Sequence, residues 1–263
     1  MRLVIIGPGR AGGSLALAAT RAGHEIAGVV SRDSSQEFGP DLSLEDPLPD
    51  CDVAFIAVRD DEIASVVEML APVVGGAVTV AHLSGFVPVA ALNLLQRHDV
   101  AVGGFHPLQS LPDPETGAAA LPGAYVGIGG DPLAVDTLVH LADSMGMIPF
   151  RLDDSARPAY HAAAAASSNF VVTSLAVAAD LFAAAAVAAE VSRPLVERVI
   201  ANVFERGAGV SLTGPISRGD IETVVGHLAA AHEVSAEVGT QFSLMAEATA
   251  IRAGRGEDRR KWR

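Results

Sequence analysis

Residues 3–12 read Leu-Val-Ile-Ile-Gly-Pro-Gly-Arg-Ala-Gly, an apolar run that breaks into a glycine-rich turn. The run 3–6 is typical of a parallel strand that is buried on both faces. The turn has the G-x-G-x-x-G pattern, and helical sequence follows over residues 12–22. A strand, this turn and a helix in that order predict the phosphate-binding turn of a dinucleotide-binding α/β fold. The alternative is an ordinary turn between a strand and a helix.

The glycine-rich turn supplies each feature that a dinucleotide pyrophosphate requires. Gly7 makes the tight turn, Gly9 lets the backbone approach the phosphates, and Gly12 lets the helix pack closely on the strand. The start of the helix offers free N–H groups and the positive end of a dipole. The predicted cofactor-binding residues of the turn are Gly7, Pro8, Gly9, Arg10, Ala11 and Gly12.

The end of the second predicted strand, residues 25–30, indicates which dinucleotide binds. An NAD site usually places an acidic residue there for the ribose 2′-hydroxyl. In this sequence Ser31 and Arg32 follow the strand, and the first acid is Asp33. A hydroxyl and a guanidinium suit a 2′-phosphate, so NADP(H) is favoured over NAD(H). The alternative is that Arg32 points into solvent beside Asp33.

The character of the sequence changes near residue 153. Before it, strand-like and helix-like segments alternate, as in a doubly wound, mainly parallel sheet covered by helices. Further strands are predicted at 51–58, 78–83, 101–105, 125–128 and 148–151, and further helices at 61–70 and 132–145. Alanine-rich helices are predicted at 159–190, 194–206, 221–231 and 234–252. The sequence therefore predicts a dinucleotide-binding Rossmann-like domain over 1–152 and an all-helical substrate and dimerisation domain over 153–263.

Composition and charge exclude several classes of partner. The 263 residues are 50% hydrophobic, which is enough for a large core, and the net charge of −13 argues against nucleic acid or an anionic membrane. The single cysteine, Cys51, excludes a disulfide framework and suits the cytoplasm. The histidines lack the spacing of metal ligands.

The apolar segment 162–179 is interrupted by serines and an asparagine, so we expect a tightly packed, buried helix and not a membrane span. Its small side chains allow close helix approach, which predicts a homodimer.

Four motifs together resemble one protein family. They are the opening glycine turn, residues 105–111 (Phe-His-Pro-Leu-Gln-Ser-Leu), residues 160–169 (Tyr-His-Ala-Ala-Ala-Ala-Ala-Ser-Ser-Asn) and residues 212–220 (Leu-Thr-Gly-Pro-Ile-Ser-Arg-Gly-Asp). The family is that of Rossmann-like proteins with the domain of unknown function 2520, and the resemblance covers nearly the whole chain. The wider architecture is similar to 6-phosphogluconate dehydrogenase, pyrroline-5-carboxylate reductase and ketopantoate reductase.

The resemblance implies an NADPH-dependent reductase that acts on the carbonyl of a small 2-keto carboxylate. Ketopantoate, whose reduction gives pantoate for pantothenate and coenzyme A, is the substrate it suggests. An imine or other keto-acid reductase on the same scaffold, or a non-catalytic NADP-binding sensor, stays open. Ketopantoate reductases use a lysine near the start of the helical domain as the proton donor. Here the only lysine is Lys261 in the basic tail, so another group must donate the proton.

His161 is the first candidate for the proton donor. A carbonyl that receives a hydride becomes an alkoxide and needs a proton, and histidine titrates near neutrality. On a helix, Ser168 is nearly eclipsed with His161, and Asn169 lies about 80° further round. One helix face can therefore present all three groups to a substrate. The alternative is that His161 caps the helix while Ser168 and Asn169 pack against another helix.

The glycine-punctuated segment 212–220 supplies a candidate anion-binding group. The planar fork of Arg218 can pair with a substrate carboxylate through two hydrogen bonds, or it can form a structural ion pair. Asp220 is expected to cap the next helix, and the alternative is that it orients Arg218 or His227.

The remaining candidates follow predicted strands, at the edge of the sheet where ligands bind in doubly wound folds. Val58 and Ser84 are expected to flank the cofactor, although Ser84 could equally cap the following helix. His106 could bind substrate or act as the alternative acid, and it could equally be a structural histidine. His82 is the least favoured of the histidine candidates.

Overall fold

The computed structural model describes residues 1–32, 37–76, 78–97 and 99–262. The chain divides into two compact units, Met1–Ala165 and Ala166–Arg263. The first unit contains seven strands: β1 (Arg2–Ile6), β2 (Glu25–Val30), β3 (Val53–Ile56), β4 (Val78–His82), β5 (Val100–Pro107), β6 (Tyr125–Gly130) and β7 (Ile148–Arg151). They form one sheet in the order β2-β1-β3-β4-β5-β6-β7. This arrangement confirms the predicted Rossmann-type α/β fold, followed by a helical region.

The sheet is parallel except where β5 pairs with β6 in the antiparallel direction. Strand β1 lies between β2 and β3, and residues 3–6 are buried on both faces, which explains their continuous apolar sequence. Strand β3 is shorter than the predicted 51–58. At its start the Asp52 carboxylate accepts a hydrogen bond from the Arg2 amide at 2.7 Å, and Val58 turns toward the glycine loop.

Four helices lie wholly within the first unit: α1 (Arg10–Arg21), α2 (Ile63–Leu70), α3 (Pro114–Ala120) and α4 (Pro132–Ser144). A single 3₁₀ turn, Asp60–Glu62, replaces the first turn predicted for α2. Helix α3 was not predicted, although its start carries two ordinary signals. The Asp113 side chain accepts a hydrogen bond from the Thr116 amide at 2.8 Å, and Pro114 occupies the first turn.

The other helices are α5 (Arg157–Ala184), α6 (Arg193–Arg206), α7 (Ala208–Ser211), α8 (Pro215–Arg218), α9 (Ile221–Val234) and α10 (Ala236–Arg252). Helix α5 ends before the predicted residue 190, because Ala186 has a positive φ of 55°. The break between α9 and α10 lies at Ser235, and not at residues 232–233 as predicted. The Ser235 hydroxyl accepts a hydrogen bond from the Val238 amide at 3.1 Å and so starts the new helix.

Helix α5 is not the tightly packed, buried helix that the sequence predicted. Val177 packs in a small core with Ala231 and Val238, but Phe170 and Val172 are 68% and 67% exposed. By length and composition alone, the segment Asp154–Ala184 could cross a membrane, and 6% of its most apolar window is buried. Its many alanines bury little area against neighbouring helices, so larger apolar side chains on the same helix remain uncovered.

Candidate functional site

The glycine turn between β1 and α1 has the geometry expected of a pyrophosphate cradle. Gly7 has a φ of +93°, which favours glycine, and a Cβ there would lie 2.8 Å from Val58 Cγ1. A Cβ on Gly12 would overlap the carbonyl oxygen of Gly7 and lie 2.9 Å from the Cβ of Ala57. By contrast, no atom of the described residues lies within 4 Å of a Cβ built on Gly9. The turn is therefore tight on its inner side and open where a ligand would approach.

The N-terminus of α1 has free hydrogen-bond donors. Gly9 is the N-cap residue, and no side chain of the described residues caps the helix there. The first N–H groups of a helix have no partner within the helix, so the amides of Arg10 and Ala11 remain donors for an anion. Gly9 and Arg10 are exposed, and Pro8 is half-buried. These residues fit the pyrophosphate of a dinucleotide.

The residues after β2 place a guanidinium beside a carboxylate. Ser31 is half-buried and the Arg32 side chain is 83% exposed, with its Nη2 in contact with Glu62 Oε1. Glu62 belongs to the turn before α2, and its side chain is 27% exposed. Arg32 is therefore paired, and a 2′-phosphate would compete with Glu62 for it. The neighbouring acid of the sequence prediction, Asp33, lies outside the described residues.

The turn after β4 is fixed by Ser84. Its hydroxyl accepts hydrogen bonds from the amides of Phe86 and Val87, at 3.1 and 2.9 Å. The following helical turn, Val89–Leu92, has Pro88 at its N-cap position, so the prediction that Ser84 caps the following helix is wrong. The carbonyl of Ser84 accepts a further bond from Arg157 Nη1 at 3.0 Å. Ser84 thus holds the shape of the turn, and Gly85 lies on its inner side.

Two histidine rings converge on Gly85. His106 is at the end of β5 and His161 is in the second turn of α5. The Nε2 of His106 and the Nδ1 of His161 each lie 2.7 Å from the position of a Cβ on Gly85. Their ring centroids are 5.8 Å apart. His161 is inside the helix and is not its cap, and its buried Nδ1 has no hydrogen-bond partner among the described residues.

The protonation state of His106 follows from its surroundings. Burial, followed by the charge of His161, lowers the pKa of His106 to about 4. Burial raises the pKa of the Tyr160 hydroxyl to about 12. The two groups are 2.7 Å apart and both are neutral near pH 7, so His106 Nδ1 and the Tyr160 hydroxyl share one hydrogen bond. A histidine that is neutral far below pH 7 is a poor general acid, which argues against His106 as the alternative donor.

Arg157, which the sequence reasoning missed, completes this cluster. Its side chain is 0% exposed, and its Nε donates to Asp154 Oδ1 at 2.8 Å. His82 lies nearby at the end of β4, fully buried, and has no hydrogen-bond partner among the described residues. In the sequence, Arg157 lies just after the predicted domain boundary and just before Pro158, so its neighbours do not indicate burial. The feature that could have indicated it is the glycines of β5 and β6, which leave space above the sheet.

The candidates Ser168, Asn169 and Arg218 belong to the second unit. Ser168 and Asn169 are exposed on α5, where the Ser168 hydroxyl donates to Asn169 Oδ1 at 3.1 Å. Arg218 pairs with Asp220, with Nη2 and Nε 2.9 and 3.1 Å from Oδ2. The expected capping role of Asp220 is wrong. It occupies the N-cap position of α9 but makes no capping hydrogen bond, because its carboxylate faces Arg218.

Residues 124–249 match the profile of DUF2520, a domain of unknown function. A candidate NADP oxidoreductase from Bacteroides fragilis is similar at 22% identity and a TM-score of 0.81, over 95% of this chain and 98% of that one. A Streptomyces aurantiacus imine reductase is similar at 17% identity and a TM-score of 0.68, over 99% of each chain. A Plasmodium falciparum pyrroline carboxylate reductase with NADP bound has 14% identity and a TM-score of 0.63, over 96% and 98%.

A search of curated protein sequences found no match. The solved structures are less than 25% identical to the chain, so they establish its fold. The match over 124–249 covers β6 and β7 of the sheet and most of the helical region. The chain therefore has a Rossmann-type fold, and its residues 124–249 are similar to the DUF2520 domain.

Proposed function

We propose that this protein is an NADPH-dependent reductase of a small 2-keto carboxylate, with ketopantoate as the leading substrate. One observation carries the proposal. The first unit places a dinucleotide-type glycine turn and a convergent histidine pair at the carboxyl edge of the same sheet, where ligands bind in doubly wound folds. Similar structures whose names include an NADP oxidoreductase and a reductase with bound NADP support this choice of cofactor.

The residues of the chain have separate roles in this proposal. The glycine turn, Ser31 and Arg32 would hold NADPH, and NADPH would supply a hydride. His161 donates a proton to the carbonyl oxygen as the carbonyl carbon is reduced, so that the product is an alcohol. Arg218 binds the carboxylate through its planar fork, and Ser168 with Asn169 orients the substrate.

The first experiment measures cofactor binding and turnover separately. Calorimetry should show that the purified protein binds NADPH, and mixing with ketopantoate should then consume the absorbance of the reduced nicotinamide. Absence of NADPH binding would overturn the proposal. Binding of NADPH without oxidation by any keto acid or imine would identify a non-catalytic sensor.

An imine is the second candidate substrate class. The imine reductase and the pyrroline carboxylate reductase among the similar structures favour it, because both names specify chemistry at a C=N bond or its product. A C=N bond also accepts a hydride at carbon, and the nitrogen then requires a proton as the carbonyl oxygen does. A panel of keto acids and cyclic imino acids, with chiral analysis of the product, distinguishes the two classes.

Replacement of Arg32 by alanine should weaken NADPH binding by about tenfold to a hundredfold and leave NADH binding unchanged. A hydrogen bond between two charged groups contributes about 1.5–3 kcal/mol, and the 2′-phosphate is the group that NADH lacks. Glu62→Gln is the matched variant, because it removes the carboxylate that competes for Arg32. It should bind NADPH as tightly as the native protein or more tightly. If Arg32→Ala weakened the binding of NADPH and NADH equally, the proposed contact between Arg32 and the 2′-phosphate would be contradicted.

We also propose that the protein is a cytoplasmic homodimer, in which a second copy covers the apolar surfaces of α5 and α6. Phe170 on α5 and Phe204 on α6 are 68% and 87% exposed. Adjacent charges of both signs on α6, Glu197 and Arg198, suit a face that pairs with its own copy across a two-fold axis. The net charge of −13 disfavours an anionic membrane as the covering surface.

Sedimentation in detergent-free buffer tests the dimer. The native protein should sediment as a dimer, and Phe204→Asp should shift it toward the monomer because a buried charge opposes association. Leu133→Asp is the control, since Leu133 on α4 is 66% exposed and should leave the dimer intact. A native monomer at all concentrations, or recovery of the protein only with membranes or detergent, would contradict the proposal.

A further inference from the structure

Arg157 is a buried guanidinium that lies over a pair of glycines. Gly104 on β5 and Gly129 on β6 are direct partners in the antiparallel ladder. A Cβ on Gly104 would overlap Arg157 Nη2, and a Cβ on Gly129 would lie 3.8 Å from the same atom. The absence of a side chain on Gly104 makes room for the guanidinium above the sheet, whereas a Cβ on Gly129 would overlap the carbonyl oxygen of Leu152. We call Gly104 and Gly129 the glycine floor.

The guanidinium is only partly neutralised. Its Nε donates to Asp154 and its Nη1 donates to the carbonyl of Ser84, but Nη2 is buried without a partner among the described residues. The Asp154 carboxylate also accepts hydrogen bonds from the amides of Val89 and Ala90, at 2.8 and 3.2 Å, and its side chain is 37% exposed. The carboxylate charge is therefore shared with backbone donors and with solvent. The guanidinium is thus the fully buried member of the ion pair, and its field on nearby groups is weakly screened.

Two histidines face this charge. His82 lies against the glycine floor, with its Cε1 3.3 Å from the position of a Cβ on Gly104. Burial and then the charges of Arg157 and His106 lower the pKa of His82 to about 4, while the backbone of Pro88 and the Asp154 carboxylate act in the opposite direction. The charge of Arg157 also contributes to the lowered pKa of His106. His106 also lies beside His161, and its Nδ1 shares a hydrogen bond with the Tyr160 hydroxyl.

We infer that Arg157 is a positioning residue of the proposed reductase, whose buried charge disfavours a second positive charge on His82 and His106 beside the proposed donor His161. The inference rests on the proposed function of His161. A proton on His106 would repel a proton on His161, because the two rings converge on Gly85. A fixed guanidinium prevents that competition without itself titrating, since arginine stays protonated in proteins. Its bond to the Ser84 carbonyl also holds the turn on which the rings converge.

The test compares two variants that break the same ion pair and change the local charge in opposite directions. Arg157→Gln removes the positive charge, and Asp154→Asn removes the negative one. Histidine side-chain NMR of the ligand-free protein follows each ring through a pH titration. In Arg157→Gln the midpoints of His82 and His106 should rise by roughly one pH unit. In Asp154→Asn the midpoint of His82 should stay the same or fall.

A purely structural role predicts a different pattern. Loss of packing would expose the histidines and raise their midpoints in both variants, so equal upward shifts would overturn the inference. Unchanged midpoints in Arg157→Gln would overturn it as well. Arg157→Lys, which retains the charge, should retain low midpoints and provides a folded reference if Arg157→Gln is unstable. Because the measurement uses neither cofactor nor substrate, it is independent of the NADPH-binding test of the proposed function.

Discussion

Turnover of ketopantoate with NADPH should fall by about a hundredfold or more when His161 is replaced by alanine. A positioned general acid contributes about 10² to 10⁴ in rate, and the alkoxide formed on reduction needs a proton at the moment that charge develops. The pKa of His106, lowered to about 4, leaves that neighbour unable to take over near neutral pH. No lysine is available in this part of the chain, because the only one is Lys261.

The measurement requires both kinetics and binding. NADPH affinity should be unchanged in His161→Ala, so the loss should appear in kcat and not in cofactor binding. His140→Ala is the matched control, since His140 is an exposed histidine on α4 and its loss should leave the rate unchanged. Native turnover in His161→Ala would remove this residue from the mechanism.

Two glycines of the opening turn should respond to alanine in different ways. Gly12→Ala should lower the free energy of unfolding by about 1–3 kcal/mol, because the added methyl would overlap the Gly7 carbonyl and crowd Ala57. Gly9→Ala should leave stability unchanged, because its φ of −70° suits alanine and no described atom lies within 4 Å of the new Cβ. NADPH binding should nevertheless weaken by about tenfold or more in Gly9→Ala, because the methyl group occupies the space where the pyrophosphate approaches.

The two variants separate an effect on stability from an effect on NADPH binding. Denaturation curves measure the free energy of unfolding, and calorimetric titration measures the affinity for NADPH. If Gly9→Ala bound NADPH with native affinity, the turn would not hold a pyrophosphate, whatever the stability of Gly12→Ala. If Gly12→Ala were as stable as the native protein, the contact between α1 and β3 would be looser than the structure indicates.

The sequence predicted the parts of the fold that depend on local pattern. A continuous apolar run and a glycine turn identify β1 and the start of α1. Burial on both faces of a sheet requires consecutive apolar residues, and a positive φ favours glycine, so both are visible in the sequence. The end of α5 could not be predicted in the same way. Ala186 adopts a positive φ, and alanine carries no stop signal, so the run of alanines read as a longer helix.

The candidate site was predicted where a residue follows a strand or begins a helix. His106 and His161 were found for that reason, and Gly85 was passed over although both rings converge on it. Arg157 was missed because its burial depends on Gly104 of β5, which is distant in sequence and leaves the space that the guanidinium occupies. The exposure of α5 was not predicted, because an apolar composition does not show whether the helix is covered by its own chain or by a second copy.

Arg157 and Gly104 constrain each other although they are far apart in the chain. While residue 157 is arginine, residue 104 cannot acquire a side chain, and a smaller residue at 157 would leave a void above Gly104. A substitution at either position is therefore tolerated only with a matching substitution at the other. Over generations the two sites should change together, and a graft of the histidine pair onto another scaffold would have to include both.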